Sequence, residues 1–394
     1  MRTIYKSKLY EEHNQGMKIL MINPWIGSLA DYTHGLCNGL EKNSQDVDMV
    51  TNVYDSYGDS SKYNVIPLFF RLSEKMKRGV LRKIVRTVEY IYAYVRIFQM
   101  ILRNKYDIVH VQWCLFYSFD VFALKLIKRN TKNIIFTAHN VLPHIDGERY
   151  LKKLEVLYRN FDRIIVHGNS IKEEFIHYFP QYTDKVFIQY HGCRLSINKK
   201  VSAQDVPDKI LDTIKDREKI YIFFGGIFYN KGIDVLMRVW RENYSNSNNL
   251  LVLAGRIIEK YDELDYELKN TNANVLILKG YLEDSLLDYL IDSSNLVMLP
   301  YRHASMSGVV FTAAQHSKTI ITTNVGSIPE YLENGKDSII INKDERQLIE
   351  AIYNVENEVS VEELNTMGRL LHENINKKYN WDTIASLLIH NVYW

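Results

Sequence analysis

The chain has 394 residues, 46% of them apolar and 24% charged, which describes a folded globular protein and excludes disordered, collagen-like and mini-protein architectures. A net charge of +2 gives no reason to expect a nucleic-acid partner. The distribution is uneven: residues 71–106 hold ten basic and two acidic side chains, and the remainder is net acidic. Cys37, Cys114 and Cys193 are too few and too scattered for a disulfide framework or a Cys-based zinc site, and read as a reducing, cytoplasmic compartment. The first sixteen residues are polar and the apolar run after Met17 is broken at Asn23 and Pro24, so no secretory leader is expected. Residues 88–102 are interrupted by Glu89, Arg96 and Gln99 and fall short of a spanning helix.

In chain order, short β-branched runs alternate with segments of helical period. The runs of the first half are 18–25, 46–52, 106–113, 133–140, 163–169 and 185–192; amphipathic stretches at 148–160 and 170–178 follow two of them. Residues 195–217 are polar, with two consecutive lysines, a proline and no strand-like run, and mark a boundary. The alternation restarts at 219–226, 250–256, 275–281, 296–301, 319–325 and 338–342, and two helical patterns, 360–378 and 381–392, follow without a strand between them. Alternation of this kind implies parallel sheets with right-handed crossovers, and its interruption implies two doubly wound α/β domains in tandem.

Ligands of open α/β sheets sit beyond the carboxyl ends of the strands, so those loops are the candidate sites. After the first run, Gly27 permits close backbone approach and Ser28 and Asp31 can cap the next helix; this is either a phosphate-facing turn or a structural one. No GxGxxG fingerprint follows, which argues against a dehydrogenase. After 219–224 comes GGIFYNKG: Gly225 and Gly226, then Lys231 beside a helix start, a combination suited to a diphosphate. Taken alone, Lys231 is more often a solvated surface lysine, and it is its neighbours that shift the balance. The loop LPYRHASMSGVVFTAAQ, 299–315, places Ser307, Gly308 and Val309 where a helix begins, so backbone N–H groups would face a ligand, with Arg302 and His303 in the same loop; the alternative is a simple cap. Gly326 and Glu330 stand at a further strand end, as a ligand contact or as a helix N-terminal acid. His167 and His191 are read as packed or hydrogen-bonded side chains. Asp46-Val47-Asp48 has the look of a metal-binding acid pair but lies within an expected strand, and no metal or other cofactor is expected.

The ordered series GGIFYNKG, LVLAGR, LKGYLED, LVMLPY and TIITTNVGSIPEYLENG resembles the C-terminal half of GT-B glycosyltransferases of the family-4 type (retaining, group 1). MINPWIGSLADYTHGL, YDIVHVQW, TAHNVLPH and YHG resemble their N-terminal half. The resemblance implies two Rossmann-like domains facing a central cleft: 1–200 for the acceptor and 201–378 for the nucleotide sugar, with 379–394 crossing back as a helix onto the first. It implies that Lys231 contacts the donor diphosphate, that Gly27 lies beneath the phosphates and that His139 lies near the reacting sugar. Gly226 replaces the family's phosphate-binding arginine, and its paired glutamates fall on Ala304 and Thr312, so Arg302 or Arg256 would have to supply the missing positive charge.

The expected activity is transfer of a sugar from a UDP- or GDP-sugar to a glycan or lipid-linked glycan acceptor, with retention. An inverting enzyme, with Asp31 or His139 as base, a nucleotide-sugar epimerase and a non-catalytic sugar-nucleotide-binding protein are the alternatives. From Arg71 to Arg103, apolar residues recur at Val80, Ile84, Val88, Ile91, Val95, Phe98 and Leu102 behind a basic start. This stretch either rests on an anionic membrane surface, making the protein peripheral on the inner face of the plasma membrane, or packs into the core.

Overall fold

A computed structural model of the chain describes residues 16–26, 28–55, 61–143, 147–193 and 206–394, and for Ser28 and Leu29 the backbone alone. The chain forms two compact units, Met1–Gly192 with Tyr379–Trp394, and Cys193–Lys378. The expected boundary at 200/201 and the candidate Gly27 lie outside the described residues.

Among the described residues, the first unit holds seven parallel strands, β1 (Lys18–Ile22), β2 (Asp46–Asn52), β3 (Asn64–Phe69), β4 (Ile108–Val111), β5 (Asn133–Thr137), β6 (Arg163–Val166) and β7 (Val186–Ile188), in the order β3-β2-β1-β4-β5-β6-β7. Its helices are α1 (Ser28–Lys42), α2 (Val80–Asn104), α3 (Tyr117–Lys128), α4 (Leu151–Tyr158) and α5 (Asn169–Tyr178). The chain turns back across the sheet between β1 and β4, which makes their carboxyl ends the switch point. β4 is buried along its whole length, and the polar side chain within it, His110, is hydrogen-bonded. β3 has no counterpart among the expected strands because Pro67 interrupts it. It is an edge strand, the one place where a missing N–H costs the ladder little.

α2 buries Tyr90, Ala93, Tyr94, Ile97 and Ile101 in the core. The apolar series read from the sequence is on a different flank: Val80, Ile84, Val88, Ile91, Val95 and Leu102 are exposed. The stretch does pack into the core, but through a second apolar register offset from that series, of which Phe98 is half-buried.

α13 (Trp381–Leu388) packs on α1 of the same unit and is capped by the Asn380 side chain, which accepts from the Thr383 N–H. Trp381 fits among three glycines. A Cβ added at Gly35, Gly39 or Gly192 would lie 2.1, 2.2 or 2.5 Å from it, so the close approach depends on the absence of side chains there.

The second unit holds β8 (Ile220–Phe224), β9 (Leu250–Gly255), β10 (Val275–Lys279), β11 (Leu296–Leu299), β12 (Thr319–Thr323) and β13 (Ser338–Ile341), all parallel, in the order β10-β9-β8-β11-β12-β13. Its helices are α6 (Asp208–Ile214), α7 (Ile233–Asn243), α8 (Asp262–Lys269), α9 (Asp284–Ser293), α10 (Gly308–Gln315), α11 (Glu345–Asn357) and α12 (Val361–Lys378). Here the switch point lies between β8 and β11. Cys37, Cys114 and Cys193 are all buried. Among the described residues, no helix is long and apolar enough to cross a membrane.

Candidate functional site

In the second unit, the carboxyl end of β8 runs through Gly225 and Gly226 into a 3-10 turn, Tyr229–Lys231, and then α7. Gly232 joins turn to helix at φ +65°, where an added Cβ would lie 2.1 Å from the Pro300 carbonyl oxygen; both the backbone conformation and the space require glycine. This close approach fixes the β8 loop against the end of β11. It also brings Lys231 Nζ over the Tyr301 ring, 3.6 Å from its centroid. The ammonium makes no ion pair among the described residues, so its charge is met by a π face and left open to an anion.

Tyr301 connects Lys231 to the next loop, since its buried hydroxyl lies 3.1 Å from Ser307 Oγ. Ser307 is the N-cap residue of α10 by position, yet its side chain does not cap: the hydroxyl is spent on Tyr301. The N–H groups of Gly308 and Val309 consequently donate to nothing among the described residues, and the space above Gly308 is open. A Cβ at Gly225 would be 3.8 Å from Val309, which places the glycine turn beside the same helix end. Lys231, Gly225 and the start of α10 thus gather at one switch point, the arrangement that binds concentrated negative charge. Thr312 is buried one turn on, its hydroxyl donating to the Gly308 carbonyl.

Arg302 has a different task. Its guanidinium donates twice to buried Asp234, at 2.8 and 2.5 Å, and once to the Tyr229 carbonyl at 2.8 Å, and it stacks over the Tyr229 ring. Burial works to raise the Asp234 carboxyl, but hydrogen bonds from Arg302 and Tyr261 hold it below the usual range. Arg302 therefore ties the β11 loop to α7 rather than standing as a free cation. Arg256, directly after β9, is exposed and makes no ion pair among the described residues. Gly226 follows Gly225 in the turn, and Glu330 lies half-buried in the 3-10 turn Ile328–Tyr331, its N–H donating to the Ser327 carbonyl.

In the first unit, His139 sits just past the end of β5, half-buried, stacked on Trp113 (centroids 5.0 Å, planes 4° apart) and edge-on to Tyr32. Trp25, from the loop after β1, meets Trp113 edge to face, so the switch point carries an aromatic ladder ending on the imidazole. His139 Nε2 is 3.0 Å from Gln112 Oε1, and its Nδ1 is 3.2 Å from Nε2 of His167. His167 Nδ1 faces the Gln189 carbonyl at 3.0 Å and must donate to it, so its Nε2 accepts and His139 Nδ1 is the donor. That leaves Nε2 of a neutral His139 as an acceptor, matched when the Gln112 amide turns its NH2 toward it. Burial holds His139 well below 6.5, His167 at about 4 and His191 and His110 at about 3, so the cluster is neutral at physiological pH. His110 is bonded to Thr137 and to Tyr393, both at 2.7 Å.

Asp31 lies in the first turn of α1, half-buried and with partners of its own. Asp48 is buried, accepting from Asn64 and Tyr106, and exposed Asp46 pairs with Lys18 at 3.4 Å, which accounts for both carboxylates inside the sheet. Sequence reasoning passed over Tyr301, Asp234 and Gln112. Tyr301 carried a usable signal, a tyrosine two residues beyond a buried strand whose hydroxyl needs a partner.

Two Rossmann-like parallel sheets in tandem, each with its site-forming loops at a switch point, define the GT-B class of fold. The glycosyltransferase family 4 model matches residues 29–196 and the glycosyl transferases group 1 model matches residues 218–357. The chain is 24% identical to an uncharacterized glycosyltransferase of Methanocaldococcus jannaschii, over 96% of this chain and 98% of that one. It is 25% identical to the GPI3 subunit of the phosphatidylinositol N-acetylglucosaminyltransferase of Saccharomyces cerevisiae, over 73% of this chain and 63% of that one. Anabaena HepE, solved in complex with UDP and glucose, superposes with a TM-score of 0.71 at 13% identity, over 95% of this chain and 99% of that one. The chain is a GT-B glycosyltransferase.

Proposed function

We propose that the protein transfers a sugar from a nucleoside diphosphate sugar, UDP- or GDP-linked, to a glycan or lipid-linked glycan acceptor in polysaccharide or glycoconjugate synthesis, with retention and without a metal. The observation that carries this reading is the Lys231 ammonium, set on the Tyr301 face beside the open N-terminus of α10. In the reaction the C1–O bond to the diphosphate breaks and its electron pair stays on the phosphate oxygen. The acceptor oxygen bonds to C1, and its proton passes to that same phosphate. Negative charge builds on the diphosphate as the bond breaks, and Lys231, Arg256 and the N–H groups of Gly308 and Val309 are the groups to stabilise it. Both ring nitrogens of neutral His139 are engaged by His167 and Gln112, so beside the sugar it presents an uncharged ring that would not oppose an oxocarbenium-like centre.

A thermal-shift panel of UDP, GDP, ADP and dTDP sugars identifies the donor, because a ligand of the native state raises the melting temperature. The best donor is then offered candidate acceptors. Lys231→Ala should keep its fold, lose the donor-induced shift and turn over roughly a hundredfold more slowly. Undiminished donor binding in that variant would remove Lys231 from the site. Donor binding with neither transfer nor slow hydrolysis would instead favour a binding protein, the reading that the replacement of the paired glutamates by Ala304 and Thr312 keeps open.

A further inference from the structure

α2 has two apolar flanks and covers only one of them. Val80, Ile84, Val88, Ile91, Val95 and Leu102 follow one another every three, four or seven residues and are 41–75% exposed, on a helix about 37 Å long. A continuous row of exposed aliphatic side chains on this scale marks an interaction surface.

The charges around the row identify what covers it. Glu74 is consumed by Arg82 and Arg86, at 2.8 and 2.7 Å, and the Glu89 carboxylate accepts the N–H groups of Leu72 and Ser73. Both acids of the segment are thus already engaged within it. Lys77, Arg78 and Lys83 are exposed and make no ion pair among the described residues. Aliphatic side chains bracketed by uncompensated cations match hydrocarbon beneath anionic headgroups; a protein partner of purely apolar surface would answer only half of this pattern.

A cavity of about 590 Å³ opens beside the same helix. Tyr90 and Ile91 of α2 line it together with Phe116, Tyr117 and Phe119 at the start of α3, and Lys153 is the cation in its wall. Ile91 belongs both to the exposed row and to the cavity lining, so the two features are continuous.

We propose that α2 lies in the surface of an anionic membrane leaflet and that the adjoining cavity takes a hydrocarbon chain of a lipid. For its link to catalysis the proposal rests on the glycosyl-transfer reading, of which it specifies the acceptor as lipid-linked.

The test is co-sedimentation of the whole protein with vesicles of phosphatidylcholine, with and without phosphatidylglycerol, at low and high salt. Binding should require phosphatidylglycerol, fall with salt, and weaken about fivefold for each charge removed, roughly a hundredfold in the triple variant Lys77→Gln, Arg78→Gln, Lys83→Gln. Ile84→Glu with Val88→Glu should abolish binding at an unchanged melting temperature, because both positions are exposed. No binding, or binding indifferent to these charges, overturns the proposal. So does a dimer in solution that the Ile84→Glu, Val88→Glu variant dissociates, since the row would then belong to a second copy. For the cavity, cis-parinaric acid fluorescence without vesicles should rise on binding and be lost in Thr87→Trp, which fills the space from α2; undiminished fluorescence there removes the cavity. UDP and GDP binding is followed in the same variants. Retention with failed vesicle binding sinks the membrane inference alone, whereas absence of nucleotide binding throughout sinks the glycosyl-transfer reading.

Discussion

His110 and His167 are buried inside the first sheet, and their imidazoles titrate at about 3 and about 4. An unfolded imidazole titrates near 6.5, so between those values the unfolded chain binds more protons than the folded one. Stability is therefore full above about pH 6.5 and declines as pH falls toward 4, by up to about 1.4 kcal/mol per pH unit for each histidine. Urea unfolding at pH 7.5 and pH 5 should differ by roughly 4 kcal/mol from these two groups, and His167→Asn should flatten the slope. A pH-independent midpoint across that range would show that the buried histidines are not excluded from protonation. For His139 the same burial means that turnover should show no limb near pH 6.5 from this residue.

α2 shows why a helix is more than its periodicity. Ile97→Ala removes a fully buried side chain and should cost about 2–5 kcal/mol, while Val88→Ser on the exposed flank should change stability by less than about 0.5 kcal/mol. Equal losses in chemical denaturation would mean that both flanks are packed. From sequence the helix was legible and its orientation was not, because Val, Ile and Leu satisfied the period on one flank while Tyr90, Ala93 and Tyr94 satisfied it on the other. The buried strands were legible as far as their composition was one-sided. β2 spans the expected 46–52, and β13 ends one residue short of its run. β3 was hidden by Pro67, whose cost vanishes only at an edge that no local window reveals. The positions of Lys231 and Gly308 at helix starts were legible because helix starts and glycines signal locally. The pairing of Arg302 with Asp234 was not, since it joins residues 68 apart that only the fold brings together.

At the scale of the molecule, the first unit is assembled from two separate lengths of chain. Removing residues 379–394 should expose the surface of α1 under Trp381 and destabilise that unit, while the nucleotide binding proposed for Lys231 and the start of α10 should persist. Trp381→Ala should by itself cost about 3–5 kcal/mol in the first unit. Two-wavelength or fragment-resolved unfolding would separate the units; a single loss of both in the truncated chain would refute their independence.

The Trp381 notch also sets an order of events during synthesis. Residues 193–378 must be translated before the tryptophan that plugs the notch exists, an interval of roughly ten to forty seconds at ribosomal speed. Throughout that time the groove formed at Gly35 and Gly39 stands open on a nascent domain. The unit begun before the other is thus completed after it.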